Sequence, residues 1–281
     1  MYHRTDLIYQ YDGSFDGFLC CVFRAVYQRE APVAITAGER EQATFLETVA
    51  VFTEPDKAAR VYRSIPDKLG KDALRVIKLC FLSNLPDKEI ALLSFLQLGY
   101  QVGSSILRMM ADQRVYKVLT AARAVSGEAH LLKGFTRFSD FRGMLVAEIE
   151  PKHQVLPILA GHFCARMPGE SFLIFDRTHK TALVCSGGHS KMMPMEVSQL
   201  PSPDEEEQFY RQLWTRFYDT VSIEDRYNPK CRQTHMPQRF WNVMTEFQEE
   251  NRPWALAEKN LPTTAKNPSK IPCEACSGKL Q

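Results

Sequence analysis

The feature that most constrains the fold is a change of hydrophobic pattern between residues 129 and 186. Four strand-like segments there flank one segment with helical spacing. In chain order the pattern predicts strands over 129–138 and 143–149, a helix from Pro151 to about Arg166, and strands over 171–176 and 181–186. This order favours a mostly antiparallel sheet backed by helices.

Helical patterns dominate on both sides of this strand unit. The chain opens with a strand over residues 6–11, a turn at Asp12-Gly13 and a helix that Ser14 can cap, followed by a short strand at 33–36. Further helices are predicted over 54–65, 71–82, 87–109, 112–125, 204–220 and 237–248, and residues 187–203 are predicted to be a loop. The predicted fold is α+β, a four- to five-stranded mostly antiparallel sheet flanked by about eight helices.

No clean linker divides the chain, so residues 1–248 are predicted to form a single folded domain. Within it we distinguish a helical sub-domain over about 39–127, the strand unit over about 129–186 and a C-terminal helical part over about 204–248. Residues 249–281 are predicted to be a flexible tail, because the apolar pattern fades there and the last part is rich in Pro and Lys without an aromatic residue.

Composition places the chain among ordinary globular proteins. Hydrophobic residues make up 44% and charged residues 24%, which argues against a disordered or collagen-like chain. The net charge is only +2, so a signal for nucleic acid must be local. The eight cysteines lie mostly in apolar runs, and the N-terminal residues lack the pattern of a signal peptide. We therefore expect reduced thiols and a cytoplasmic protein.

One segment is apolar enough to raise the question of a membrane. Residues 90–107 contain no charged side chain, which is near the lower length limit for a spanning helix. Gln97, Gln101 and several Ser and Gly residues interrupt it, however. A helix buried among other helices explains such a segment better, so we expect no membrane partner.

The strongest local signal for a ligand is residues 226–241. This segment contains the four cations Arg226, Lys230, Arg232 and Arg239 without a carboxylate, together with three aromatic residues. Guanidinium groups bind phosphate, and Trp241 or its aromatic neighbours can stack on bases, which predicts a nucleic-acid surface. The alternative is that these cations pair with the acidic run at 204–207 and that Trp241 belongs to the core.

A second basic and aromatic set lies in the predicted strand 129–138. Lys133 and Arg137 are four residues apart with Phe135 between them, so a strand would place all three on one face. Such a face is typical of nucleic-acid modules whose aromatic residues stack on bases. The alternative is a sheet covered by helices, with Phe135 buried.

Three residues are candidates for catalysis. His162 lies on a predicted helix and Asp176 at the end of a predicted strand, so the two can form an acid–base pair or contribute to a metal site. The alternative for His162 is a half-buried structural histidine. Asp12 lies at a strand-to-helix turn where an anion can bind, although a tight turn explains the same residues.

The sequence predicts neither a cofactor nor a metal. It contains neither of the glycine-rich fingerprints of nucleotide-binding proteins. Cys273 and Cys276 form a C-x-x-C pair, but zinc needs four ligands. Cys231 and His235, four residues apart, can supply the other two, and the alternative is a disordered thiol pair, so Cys273 and Cys276 are weak candidates.

Three sequence blocks together resemble a known bacterial family. They are residues 11–19 (YDGSFDGFL), residues 133–138 (KGFTRF), and Arg226-x-Asn228 with residues 236–241 (MPQRFW). Over residues 6–248 the chain is similar to the family described as probable DNA metabolism proteins. Its members tend to be encoded beside a putative DNA-modification or repair radical-SAM protein, and some are fused to a uracil-DNA-glycosylase-like domain.

The resemblance implies a bacterial accessory protein of DNA metabolism or repair. The chain lacks the C-x₃-C-x₂-C triplet of a radical-SAM enzyme and a recognisable glycosylase motif. The resemblance therefore implies a companion protein of such an enzyme. This companion would bind single- or double-stranded DNA, and Asn228 would belong to its DNA-binding surface. Two alternatives remain: a hydrolase or nuclease that uses His162 and Asp176, and a pure protein–protein adaptor.

Overall fold

The computed structural model describes residues 4–38, 45–196 and 203–248. These residues contain eight strands, β1 (Leu7–Tyr11), β2 (Ala34–Ala37), β3 (Glu47–Ala50), β4 (Phe138–Phe141), β5 (Met144–Ile149), β6 (Ser171–Asp176), β7 (Thr181–Ser186) and β8 (His189–Pro194). They also contain eight α-helices, α1 (Phe15–Tyr27), α2 (Pro55–Leu69), α3 (Lys71–Phe81), α4 (Lys88–Val102), α5 (Gln113–Phe135), α6 (Leu156–Arg166), α7 (Glu205–Thr220) and α8 (Pro229–His235). Short 3₁₀ helices cover Gly103–Arg108, Glu224–Arg226, Gln238–Val243 and Thr245–Phe247.

The larger sheet has five strands in the order β4-β5-β6-β7-β8. Only β5 and β6 are parallel, and α6 makes the crossover between them. The other neighbours are antiparallel. The predicted α+β class with a five-stranded, mostly antiparallel sheet is therefore confirmed.

One face of this sheet packs against α5 and α6. Leu132 of α5 and Phe163 of α6 share a buried cluster with Phe172 and Ile174 of β6. Phe240 and Met244 of the C-terminal segment join the same cluster. The C-terminal segment is therefore held against the sheet by its own buried side chains.

The smaller sheet is parallel, with strand order β2-β1-β3. The sequence predicted β1, β2 and the turn into α1 with Ser14 as cap, and Ser14 Oγ accepts a hydrogen bond from the Gly17 amide. Strand β3 was not predicted, because it is four residues long and largely exposed. The larger hydrophobic core lies between this sheet and the helices α1 to α5.

The predicted strand over 129–138 is wrong. Helix α5 continues through Ser126 and Gly127 to Phe135, and β4 begins only at Phe138. Val125, Ala129 and Leu132 are buried along one side of the helix, so helical spacing and not alternation governs this segment. Gly127 costs about 1 kcal/mol relative to Ala inside a helix, which the packing of α5 offsets.

Several boundaries also differ from the predictions. Helix α2 includes Pro66 and ends at Leu69, with Gly70 in the positive-φ region. The predicted loop over 187–203 contains β8, an edge strand whose side chains are all exposed and so give no alternating pattern. The predicted helix over 237–248 is instead two 3₁₀ helices, and α8 precedes them.

The apolar segment 90–107 lies in α4 and the 3₁₀ helix that follows it. Within the described parts of the chain, Lys88–Arg108 is long and apolar enough to cross a membrane. The core helix of a soluble protein passes the same test, and α4 packs against α1, α2, α3, α5 and β2. These contacts favour the predicted core helix.

The division into one domain with three parts stays a prediction, and the predicted tail over 249–281 lies outside the described residues.

Candidate functional site

The cations of the predicted nucleic-acid surface divide into half-buried and exposed ones, and Arg239 is one of the half-buried ones. Its Nη1 donates to Oε1 of Glu128 at 2.6 Å. Glu128 lies in α5, is almost fully buried, and also accepts the backbone amides of Lys152 and His153. A buried carboxylate needs such partners, so Arg239 fastens the C-terminal segment to α5. The partner is Glu128 and not the acidic run at 204–207.

Arg232 is half-buried in a cage of aromatic rings. Its guanidinium carbon lies 5.0 Å from the centre of the Trp241 ring, 5.5 Å from that of Tyr227 and 5.7 Å from that of Phe247. Trp241 and Phe247 stack in parallel with their centres 4.4 Å apart. The Trp241 Nε1 donates to the Met236 carbonyl oxygen, so this ring is part of the packing.

Arg226 and Lys230 are the accessible cations of the segment. Both are exposed, and neither forms an ion pair with the side chains that the structure describes. Tyr227 lies between them in sequence with 68% of its surface exposed. Asn228 caps α8, because its Oδ1 accepts the Cys231 amide at 3.0 Å. We call Arg226, Tyr227 and Lys230 the Arg226–Lys230 surface.

Lys133 and Arg137 do not share a strand face, because α5 extends to Phe135 and Arg137 lies in the connection to β4. Arg137 binds Glu246 through two hydrogen bonds, of 2.7 Å and 3.1 Å. Glu246 is 1% exposed and also accepts from Trp214 Nε1. Burial raises the pKa of Glu246, but the hydrogen bonds from Arg137 and Trp214 outweigh it and lower this pKa below its ordinary value.

Asp12 organises the turn between β1 and α1. Its carboxylate accepts from the amide and hydroxyl of Ser14 and from the hydroxyl of Thr53, at 2.7 to 2.9 Å. The Ser14 hydroxyl, followed by that of Thr53, lowers the pKa of Asp12. A Cβ at position 17 would lie 2.2 Å from Asp12 Oδ1, which explains the glycine there. These contacts match a tight strand-to-helix turn.

The structure brings Asp176 together with His179 and not with His162. The Asp176 carboxylate is buried and lies 2.6 Å from His179 Nδ1, and it accepts the amides of Thr178 and His179. His162 is half-buried on α6, edge-on to Phe163, and burial followed by Lys133 and Arg166 lowers its pKa. Among the described contacts none joins His162 to Asp176.

The Asp176–His179 pair lies where the parallel strands β5 and β6 end, an edge that often holds ligands. A buried carboxylate that fixes one imidazole nitrogen leaves the other nitrogen for proton transfer. Sequence reasoning missed His179, although an Asp and a His three residues apart at a strand end were a visible signal. Asp176 also caps the β6–β7 turn, so the same contacts have a structural use.

No metal centre forms among the parts of the chain that the structure describes. No group of three or more His, Cys, Asp or Glu side chains there is arranged to hold an ion. The six cysteines within those ranges are free thiols, and Cys231 lies 3.7 Å from His235 Nδ1. Cys273 and Cys276 lie outside the described residues.

Helix α7 presents an exposed apolar face. Its sequence stripe consists of Phe209, Leu213 and Phe217, and these side chains are 53% to 61% exposed. Tyr210 and Trp214, beside the stripe, are exposed as well. Measured against the described residues, this face is an exposed apolar patch, a kind of surface that often binds other molecules.

Comparison with known proteins gives a family without an assigned function. The model of the family described as domain of unknown function DUF4130 matches residues 86–246. Neither a curated protein nor a solved structure matches the chain.

Proposed function

The chain belongs to the DUF4130 family of domains of unknown function, and we propose that it is a cytoplasmic accessory protein of DNA metabolism or repair that binds nucleic acid. The observation that supports this is the Arg226–Lys230 surface, where two exposed cations flank an exposed tyrosine. The sequence resemblance supplies the link to DNA and to a radical-SAM or glycosylase-like partner.

The composition of this surface suits a single strand. Exposed cations contact phosphates, and a tyrosine ring stacks on an unpaired base. Arg232 lies under Tyr227 and fixes the ring from the protein side, so its outer face is available. Two phosphate contacts contribute a salt slope of about −1.4, at roughly 0.7 for each contact on a single strand.

Fluorescence anisotropy across a salt series tests this proposal on labelled single- and double-stranded DNA. The wild type is compared with an Arg226→Ala/Lys230→Ala variant. A Lys117→Ala/Arg123→Ala variant, which removes two exposed cations of α5, is the charge-matched control. We expect the Arg226→Ala/Lys230→Ala variant to bind more weakly. Its slope of log affinity against log salt concentration should be shallower by about 1.4, and the control should bind like the wild type.

The proposal fails if the wild type does not bind at low salt, or if both variants bind equally well. Neither substitution touches a buried group, so circular dichroism should report unchanged folding for both variants. Arg232 and Arg239 are left intact, because replacing them would disturb packing as well as charge.

The exposed apolar face of α7 favours a second candidate, a protein–protein adaptor. We propose that the radical-SAM or glycosylase-like partner binds this face. A Phe209→Ser/Phe217→Ser variant should fold normally but lose the complex in co-purification with that partner, while the Arg226→Ala/Lys230→Ala variant keeps it. A complex that survives the α7 substitutions would place the partner elsewhere.

A further inference from the structure

A groove between α1, α2 and α4 is lined by cations and aromatic rings. Its volume is 680 Å³, within the range of small-molecule sites. Three basic side chains line it, Arg29, Arg60 and Lys68, and none of its lining residues is acidic. Its lining residues lie between Val22 and Gln101, in the N-terminal half of the sequence, whereas the Arg226–Lys230 surface lies in the C-terminal half.

Each helix contributes one face to the groove. On α2, Arg60, Ser64 and Lys68 follow one another at intervals of four residues, so they lie along one side of the helix. On α1 and α4, the contributing residues include Val22 and Val26, and Gln97 and Gln101, again four apart. Three adjacent helices thus present aligned rows of side chains to the same space.

The floor and the walls of the groove differ in chemistry. Val22, Ala25 and Val61 are buried and make the floor apolar. Phe23 and Tyr27 stack on one side with their ring centres 4.1 Å apart. Tyr100 lies on the other side, held by a 2.8 Å hydrogen bond between its hydroxyl and that of Ser64. The groove therefore combines an apolar floor with aromatic rings contributed by α1 and α4.

The cations stand beside these rings. The Arg60 guanidinium carbon lies 5.2 Å from the centre of the Tyr27 ring, and Lys68 Nζ lies 5.4 Å from that of Tyr100. Arg29, Arg60 and Lys68 form no ion pair with the side chains that the structure describes, so their charges remain available to an anion. A ligand for this groove combines a flat ring with a negative charge.

Arg29 adds a third cation to the groove. Its φ is 53°, in the left-handed region that favours glycine, directly after the C-cap of α1. A left-handed residue at this position is a common way for a helix to end, and the Glu30 amide donates to the Ala25 carbonyl oxygen across it. The end of α1 therefore places the Arg29 side chain among the lining residues.

We propose that the α1–α2–α4 groove binds a nucleotide, with the base between the aromatic walls and the phosphate on Arg29, Arg60 and Lys68. The amides of Gln97 and Gln101 offer donors and acceptors to the edge of the base. The nucleotide is either free or part of a single strand, since both present the same base and phosphate. This site is independent of the Arg226–Lys230 surface, so either can fail alone.

The test uses the full chain with two probes. Calorimetry measures binding of dAMP, dTMP and inorganic phosphate, and anisotropy measures binding of a short labelled single strand. An Arg60→Gln/Lys68→Gln variant removes two charges and keeps most of each stem, and Tyr27→Ala removes an exposed ring. Lys117→Gln/Arg123→Gln on α5 is the charge-matched control.

We expect both groove variants to bind the nucleotides at least about tenfold more weakly, with unchanged circular dichroism and an unaffected control. The Arg226→Ala/Lys230→Ala variant should still bind dAMP like the wild type. Binding of mononucleotides identifies a free-nucleotide site. Binding of the single strand alone identifies a strand-binding groove if the groove variants weaken it in the Arg226→Ala/Lys230→Ala background.

Two outcomes overturn the proposal. In one, the wild type binds neither mononucleotide nor single strand at low salt. In the other, mononucleotide binding, or single-strand binding in the Arg226→Ala/Lys230→Ala background, survives both groove variants.

Discussion

The arginines of the C-terminal contacts and those of the α1–α2–α4 groove differ in their partners. Where the C-terminal segment meets α5 and β4, Arg137 binds the buried carboxylate of Glu246 and Arg239 binds that of Glu128. In the α1–α2–α4 groove Arg60 stands over Tyr27, without an acidic residue in the lining. Arginine beside an aromatic ring therefore contributes to packing where the C-terminal segment meets α5 and β4. In the groove the same combination is free of acidic lining residues. A local excess of cations does not by itself identify a binding surface, because the carboxylates that neutralise it can come from anywhere in the chain.

The largest expected effect comes from making the same substitution in both regions. Arg137→Ala leaves the buried Glu246 carboxylate without a counter-charge, with Trp214 Nε1 as its remaining side-chain donor, which should lower the free energy of unfolding by about 3–5 kcal/mol. Arg60→Ala removes an exposed cation and its contact with the Tyr27 ring, and should lower the free energy of unfolding by no more than about 1 kcal/mol. Urea unfolding of both variants measures this difference, and equal losses would contradict the distinction between the two regions.

Most of the larger sheet was predictable because its strands have local signals. The apolar runs of β6 and β7 and the turn between them identify that hairpin without other information. The partners of Arg137 and Arg239 were not predictable, since Glu246 and Glu128 are 109 and 111 residues away in sequence. Only the folded chain brings these charges together.

The end of α5 shows a second reason why the sequence did not predict the structure. Residues 129–135 satisfy both a strand-like alternation and the helical spacing of Ala129 and Leu132, and a short segment cannot decide between them. The choice is made by Val125, Ala129 and Leu132 packing together in the core against the larger sheet. The predicted face of Lys133, Phe135 and Arg137 failed for this reason.

A smaller effect should appear in the pH dependence of stability. The folded-state pKa of Glu246 is lower than that of an unfolded glutamate, about 4.3. The carboxylate therefore stabilises the fold above that pH, and this contribution is lost as the pH falls through the lower, folded-state pKa. Glu246→Gln should be less stable than the wild type at pH 7, by about 1–3 kcal/mol, and the gap should narrow in acid.

Unfolding measured from about pH 7 to about pH 3 tests the sign of this effect. A gap that widens on acidification would contradict the lowered pKa. The groove gives an internal comparison, because Arg60→Gln removes no titrating carboxylate and should leave the shape of the pH profile unchanged.

The smallest expected effect concerns Arg29, where one substitution changes both the backbone strain and the charge available for binding. Arg29→Gly relieves the positive φ of that residue and should leave the free energy of unfolding unchanged or raise it by up to about 1 kcal/mol. Arg142→Gly is the matched control, an exposed arginine with a φ of 55° in the turn between β4 and β5. Both variants should be at least as stable as the wild type, but only Arg29→Gly should weaken nucleotide binding, by a few fold. If both variants bind alike, the cation at position 29 has no part in the groove, and its strained backbone is a feature of the α1 terminus alone.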